Sequence, residues 1–220
     1  MTRPAFDPTL YLVTDPELGG GRPLDGLAAA AVRGGATLVQ LRDKRADGRR
    51  LLDEALRLKA ALDPLGVPLI VNDRADVAFA AGAAGVHVGQ RDLPAAAARR
   101  LLGPDAIVGL SLDRPEDLDR ADPGVVDYVA YGPVFATATK GDSGPAVGAA
   151  GIAAVRARTR LPLVAIGGLG AANLVEAVAA GADGVAVVSA IVAAPDAADA
   201  SRRLRAAIDD ARRRRQETRP

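Results

Sequence analysis

Gly82-Ala83-Ala84-Gly85-Val86-His87-Val88 carries a helical stretch through glycine into a short apolar run, and the same punctuation returns elsewhere in the chain. Gly34-Gly35-Ala36 and Gly181-Ala182-Asp183-Gly184-Val185 stand at equivalent junctions, with glycine as the helix C-cap before the chain turns into a strand. Outward from these junctions, Val/Leu/Ile-rich runs alternate with Ala/Leu/Arg stretches of helical character. Strands are expected at residues 10–15, 36–41, 68–72, 85–88, 107–110, 127–134, 162–166 and 184–188. Helices are expected at 24–33, 47–65, 75–81, 94–102, 115–120, 149–159, 171–180 and 196–215. Most of the strand runs are apolar throughout, the pattern of strands buried on both faces. Strands that each lead into one helix require a parallel sheet with helical crossovers. Eight such units predict an α/β fold, a closed (β/α)8 TIM barrel with compact loops. A doubly wound open sheet would need fewer strands or more residues. The expected organisation is a single domain over residues 1–220, with a polar, basic tail at 212–220.

The composition narrows the chemistry. At 220 residues the chain can bury one sizeable core, and 49% hydrophobic with 25% charged residues is ordinary for a soluble globular protein. Aromatics make up 3% and tryptophan is absent, which argues against base stacking on an aromatic platform. The 28 basic residues nearly balance 27 acidic ones, so no nucleic-acid partner is expected. With no cysteine, thiolate nucleophiles, disulfides and cysteine-ligated metal centres are excluded. Neither a secretory leader nor an apolar run of membrane-spanning length is evident, so a cytoplasmic location with no membrane partner is expected. Arg212 to Arg215 read as a solvated helix end, since arginine suits a helix C-terminus.

Barrel enzymes gather their working groups where strands end and the following loops begin. Those positions hold Gln40, Leu41, Arg42, Asp43 and Lys44 after the second strand, and Asn72 and Asp73 after the third. Gln90 and Asp92 follow the fourth strand and Ser111 follows the fifth. Thr137, Ala138, Thr139 and Lys140 follow the sixth, Gly167-Gly168 the seventh, and Val188-Ser189 the eighth. Asp73 and Asp92 come after neighbouring strands and form a candidate pair for one magnesium ion. That cation is commonly held by one or two carboxylates together with substrate phosphates and water. The competing reading of Asp73 is a helix N-cap. Arg42, Lys44 and Lys140 border the same predicted cavity and suit a polyanion such as pyrophosphate. Asp43 and Arg45 fit a surface ion-pair network as well as a site. Gly167, Gly168, Val188 and Ser189 lie where barrels often bind a phosphate monoester through backbone N–H groups. Gly167-Gly168 can also be a ligand-free turn. His87, the single histidine, sits within an apolar strand and reads as a hydrogen-bonded structural residue, with acid–base duty as the alternative.

Taken together, these segments resemble thiamine phosphate synthase. The resemblance runs from about residue 10 to 192. It rests on Tyr11-Leu12-Val13-Thr14-Asp15, Val39-Gln40-Leu41-Arg42-Asp43-Lys44, Val71-Asn72-Asp73, Gly89-Gln90-Arg91-Asp92, Gly132-Pro133-Val134 through Thr139-Lys140, and Ile166-Gly167-Gly168. The resemblance implies a barrel that joins hydroxymethylpyrimidine diphosphate to a thiazole monophosphate, releasing pyrophosphate and forming thiamine phosphate. Residues 40 to 44, Asn72, Ser111 and Lys140 would contact the pyrimidine diphosphate, and Asp73 and Asp92 would bind magnesium. Thr137, Ala138, Thr139, Gly167, Gly168, Val188 and Ser189 would hold the thiazole phosphate. Arg42, Lys44, Ser111 and Lys140 would carry the catalysis. The implied partners are these small molecules, and a homo-oligomer is left open. Family members often carry histidine beside the serine; Leu112-Asp113 stands there in this chain.

Two other readings stay in view. A related thiazole tautomerase uses the same barrel but relies on a histidine just after the fifth strand, absent here. A non-catalytic barrel that binds a phosphorylated ligand would have no need of the aspartate pair.

Overall fold

The computed structural model describes residues 5–137 and 144–217. Eight parallel strands form a closed barrel in chain order: β1 (Leu10–Val13), β2 (Leu38–Leu41), β3 (Leu69–Asn72), β4 (Gly85–Val88), β5 (Ile107–Leu112), β6 (Tyr128–Tyr131), β7 (Leu163–Ile166) and β8 (Gly184–Val187). The barrel closes where β1 pairs with β8, Tyr11 opposite Ala186. Around it lie α1 (Leu24–Arg33), α2 (Gly48–Leu62), α3 (Ala75–Ala81), α4 (Ala95–Leu102), α5 (Gly148–Arg158), α6 (Leu174–Ala179), α7 (Ser189–Val192) and α8 (Ala197–Glu217).

Side chains divide by strand pleat. Val39, Leu41, Val71, Val86, Val108 and Val185 face outward into the layer shared with the helices. Tyr11, Leu38, Ile70, Ile107, Tyr128 and Val164 fill the interior of the barrel. Burial on both faces explains why the strands read as unbroken apolar runs.

The element boundaries differ from the expectation for local reasons. The sixth strand stops at Tyr131 because Pro133, joined to Gly132 by a cis bond, has no N–H for the ladder. The second helix ends at Leu62, and the tighter turn Asp63–Leu65 that follows contains Pro64. Residues Pro115–Arg120 form a 3-10 helix where an α-helix was expected. Helix α6 starts late, at Leu174, because the Asn173 side chain holds the preceding loop, bonding Gly170 N and Gly168 O at 2.9 Å each. The short α7 was not expected. Of the junction glycines, Gly82 is a left-handed C-cap, whereas Gly35 and Gly181 carry the positive φ one residue beyond theirs.

Where strands begin, two aspartates repeat one device. Asp127 Oδ2 accepts from Val108 N at 2.7 Å and pairs with Arg99 at 2.5 Å. Asp183 Oδ2 accepts from Leu163 N at 2.9 Å and pairs with Arg156 at 2.6 Å. Each ties neighbouring strands together on the face where barrels concentrate stability rather than chemistry. Arg212 donates to Asp183 O, and Arg215 lies 3.3 Å from Val178 O, so these tail arginines are anchored to the α6–β8 turn. No helix among the described residues is long and apolar enough to cross a membrane.

Candidate active site

At the C-terminal ends of the strands the barrel opens into a cavity of about 690 Å³. Parallel strands aim their ends the same way, so residues far apart in sequence meet there. Gln40, Arg42, Lys44, Asn72, Asp73, Asp92, Ser111, Thr137, Gly167, Gly168, Val188 and Ser189 all line it. Two expected residues do not. Leu41 is packed among the outward-facing core, its side chain on the opposite pleat from Gln40. Asp43 turns back to accept from the N–H groups of Arg45 and Ala46 at 2.9 and 3.1 Å and lies 3.8 Å from Arg50, so it shapes the loop into α2. Ala138, Thr139 and Lys140 lie outside the described residues.

The aspartates converge. The side chains of Asp73 and Asp92 are in hydrogen-bonding contact across the β3 and β4 loops. Burial, then the adjoining Asp92 carboxyl, push the Asp73 carboxyl up to about 6, against the pull of Lys44 and Arg42. Lys44 Nζ stands 3.9 Å from Asp73 Oδ2, and Arg42 is 3.9 Å from Asp15. Asp92 Oδ2 accepts from Gly89 N at 2.8 Å, which fixes its loop. The helix-cap reading of Asp73 does not hold, because the cap position of α3 is Arg74 and no side chain caps that helix. Asp73 itself has φ 63°, the only non-glycine residue with positive φ among those described, and its N–H donates to His87 O at 2.8 Å. A left-handed aspartate is tolerable because its short polar side chain can bond locally.

The glycine pair after β7 has a packing reason. A Cβ on Gly167 would stand 2.6 Å from Pro133 Cα, and one on Gly168 would stand 2.7 Å from Phe135 O. Phe135 N donates to Gly167 O at 3.0 Å, so the β6 and β7 loops are laced backbone to backbone. At the next loop, Ser189 opens the short α7, whose first N–H groups have no partner within the helix.

At the floor of the cavity and just beneath it lie residues that strand-end positions could not nominate. Tyr11, Tyr128 and His87 point inward from mid-barrel and bond one to another, and His87 also meets Ser111. Inward register with polar tips was the available signal, yet Tyr11 and Tyr128 read as ordinary strand residues. His87 is a hydrogen-bonded buried residue as expected, and it also lines the cavity. Gln90 Nε2 donates to Ser111 O at 2.7 Å, joining the β4 and β5 loops.

A (β/α)8 barrel with paired carboxylates, flanking cations and close-packed glycine loops at its C-terminal mouth defines the class: a barrel enzyme for small, polar substrates. The family model described as thiamine monophosphate synthase matches residues 10–191, and the chain belongs to that family. It is 58% identical over 207 residues to the thiamine-phosphate synthase of Xanthobacter autotrophicus, covering 94% of this chain and 98% of that one. The Azorhizobium caulinodans thiamine-phosphate synthase is 54% identical over 208 residues, with the same 94% and 98% coverage. The solved thiamine phosphate pyrophosphorylase from Pyrococcus furiosus superposes with a TM-score of 0.84 at 32% identity, covering 93% of this chain and 96% of that one.

Proposed function

We propose that this barrel joins hydroxymethylpyrimidine diphosphate to a thiazole monophosphate, giving thiamine phosphate and pyrophosphate. The observation that carries the reading is the meeting of Asp73 and Asp92 at a mouth bordered by Lys44 and Arg42. Two contacting carboxyl groups, one held well above its ordinary range, are the electrostatics of a place made for a cation. The donors are all oxygen, which suits magnesium. No group of three or more metal-binding side chains occurs among the described residues, and magnesium with phosphate ligands needs none. Asp73 and Asp92 would hold one magnesium ion. Bound there, it supplies charge neutralisation for a diphosphate.

The chain's own residues do the rest. Arg42 and Lys44, with Lys140, offer positive charge to the departing pyrophosphate and so favour breaking the carbon–oxygen bond with its electron pair leaving on oxygen. The electron-rich pyrimidine stabilises the methylene cation that remains, and the thiazole nitrogen supplies the pair for the new carbon–nitrogen bond. No protein nucleophile is required, in keeping with a chain without cysteine. Gln40, Asn72 and Ser111 orient the pyrimidine. Thr137, Thr139, Gly167, Gly168, Val188 and Ser189 seat the thiazole phosphate, so that two substrates meet within one enclosure. We place the enzyme in the cytoplasm.

Pyrophosphate release, measured with and without magnesium and with each substrate omitted in turn, tests the reading. Release should require both substrates and the metal. A ligand-binding barrel would release none, and a tautomerase would isomerise the thiazole without the pyrimidine.

A further inference from the structure

Inside the barrel five polar side chains form an unbroken hydrogen-bonded line. Gln40 Nε2 lies 2.7 Å from Tyr11 Oη, which lies 2.9 Å from Tyr128 Oη. Tyr128 Oη is 2.9 Å from His87 Nδ1, and His87 Nε2 is 2.8 Å from Ser111 Oγ. Both phenols are fully buried, and burial pushes each above its ordinary pKa, so each keeps its single proton.

Giving every hydroxyl proton a partner within the line sets one sense for it. An amide nitrogen can only donate, so Tyr11 accepts from Gln40 and turns its own proton to Tyr128. Tyr128, having accepted, donates to His87 Nδ1. A neutral imidazole that accepts at Nδ1 carries its proton at Nε2 and donates to Ser111. The Ser111 oxygen is then occupied as an acceptor, and its own proton is left to donate into the cavity. The backbone makes room for the central contact: a Cβ at Gly109 would stand 2.2 Å from Tyr128 Cζ and 2.5 Å from His87 Nδ1.

We propose that Tyr11 and Tyr128 are positioning residues that pass the donor sense of the Gln40 amide to His87, so that Ser111 meets the substrate as a hydrogen-bond donor. The inference rests on the synthase reading for the identity of the substrate, but its primary test does not. Because His87 is the only histidine, the ring nitrogens of the ligand-free, nitrogen-15-labelled protein report the tautomer without assignment ambiguity. The expected spectrum is a neutral ring protonated at Nε2 and bare at Nδ1. Tyr128→Phe, which removes the donor to Nδ1, should give a mixture of tautomers while circular dichroism stays unchanged. Tyr11→Phe should do so more weakly, by uncoupling Tyr128 from Gln40. Tyr128→Phe should raise KM for the pyrimidine diphosphate by roughly tenfold, as expected for one misdirected hydrogen bond, and Tyr11→Phe by less, each with a smaller change in kcat. A wild-type ring protonated at Nδ1 would mean that the line runs in the opposite sense, and the proposal fails. It fails also if both variants keep the wild-type tautomer. Should Tyr128→Phe not fold, the wild-type spectrum and Tyr11→Phe decide the matter alone.

Discussion

Asp73 meets two demands that few residues satisfy together: a left-handed backbone at φ 63° and a carboxyl set against a second carboxyl. Asparagine keeps the first and removes the charge. Asp73→Asn should therefore fold as well as the wild type yet lose roughly a hundredfold in magnesium-dependent pyrophosphate release, a loss of the size seen when one charge-stabilising group is removed. Asp73→Ala should lose that activity and be about 1 kcal/mol less stable than the asparagine variant in urea unfolding, because alanine resists the left-handed region. Wild-type turnover in Asp73→Asn would remove the basis for the metal pair. The pH dependence follows from the same group. Its folded value near 6 exceeds the ordinary 3.8, so the metal-free folded state binds the proton more tightly than the unfolded chain. That contribution to stability is fully present below about pH 4 and is lost as pH rises through 6. Melting curves in a chelator should show this slope in the wild type and a shallower one in Asp73→Asn. Magnesium should raise the melting temperature at pH 7 more than at pH 5, where the proton competes with it.

At the scale of elements, loops and strand entrances can be perturbed separately. Gly168→Ala places a Cβ 2.7 Å from Phe135 O at a position with φ +67°. It should cost about 1–3 kcal/mol and raise KM for the thiazole phosphate while leaving that for the pyrimidine nearly unchanged, which steady-state kinetics with each substrate varied would check. At the opposite face, Arg99 pairs with Asp127, which is 4% exposed, and also bonds Val125 O and Ala106 O. Arg99→Ala takes the guanidinium away from that buried carboxylate, which keeps its bond from Val108 N, so chemical unfolding should show a loss of about 3–5 kcal/mol with the KM values of the folded fraction unchanged. Much at this scale was readable in advance. Residues Leu24–Arg33, Ala75–Ala81 and Gly85–Val88 fall where periodicity put them. The errors collect where a proline ends an element early, as at Pro64 and Pro133, or a side-chain-to-loop bond starts one late, as at Asn173. Apolar periodicity does not register such local competition.

Over the whole molecule, β1 closes the barrel against β8, and α8 packs against α1 and α6. A Cβ on Gly34 would stand 2.2 Å from Ala198 O, a measure of how closely α1 and α8 approach. Removing residues 197–217 should uncover the α1 and α6 faces and abolish cooperative thermal unfolding, with dye binding revealing the exposed apolar surface. Retention of a sharp transition would show that the barrel suffices with only the short α7 after its eighth strand.

Local chemistry was enough to establish the repeating unit, the parallel sheet and the strand ends that carry polar groups, because burial on two faces and glycine punctuation are written residue by residue. Gln40, Arg42, Lys44, Asp73, Asp92 and Ser111 could be nominated for the same reason. Closure of the barrel brought Asp73 against Asp92, turned Asp43 and Leu41 away from the cavity, and threaded Tyr11, Tyr128 and His87 into one line. Those outcomes depend on pleat, register and curvature summed around eight strands. A side chain's neighbours across a barrel are set by that sum, and no stretch of sequence contains it.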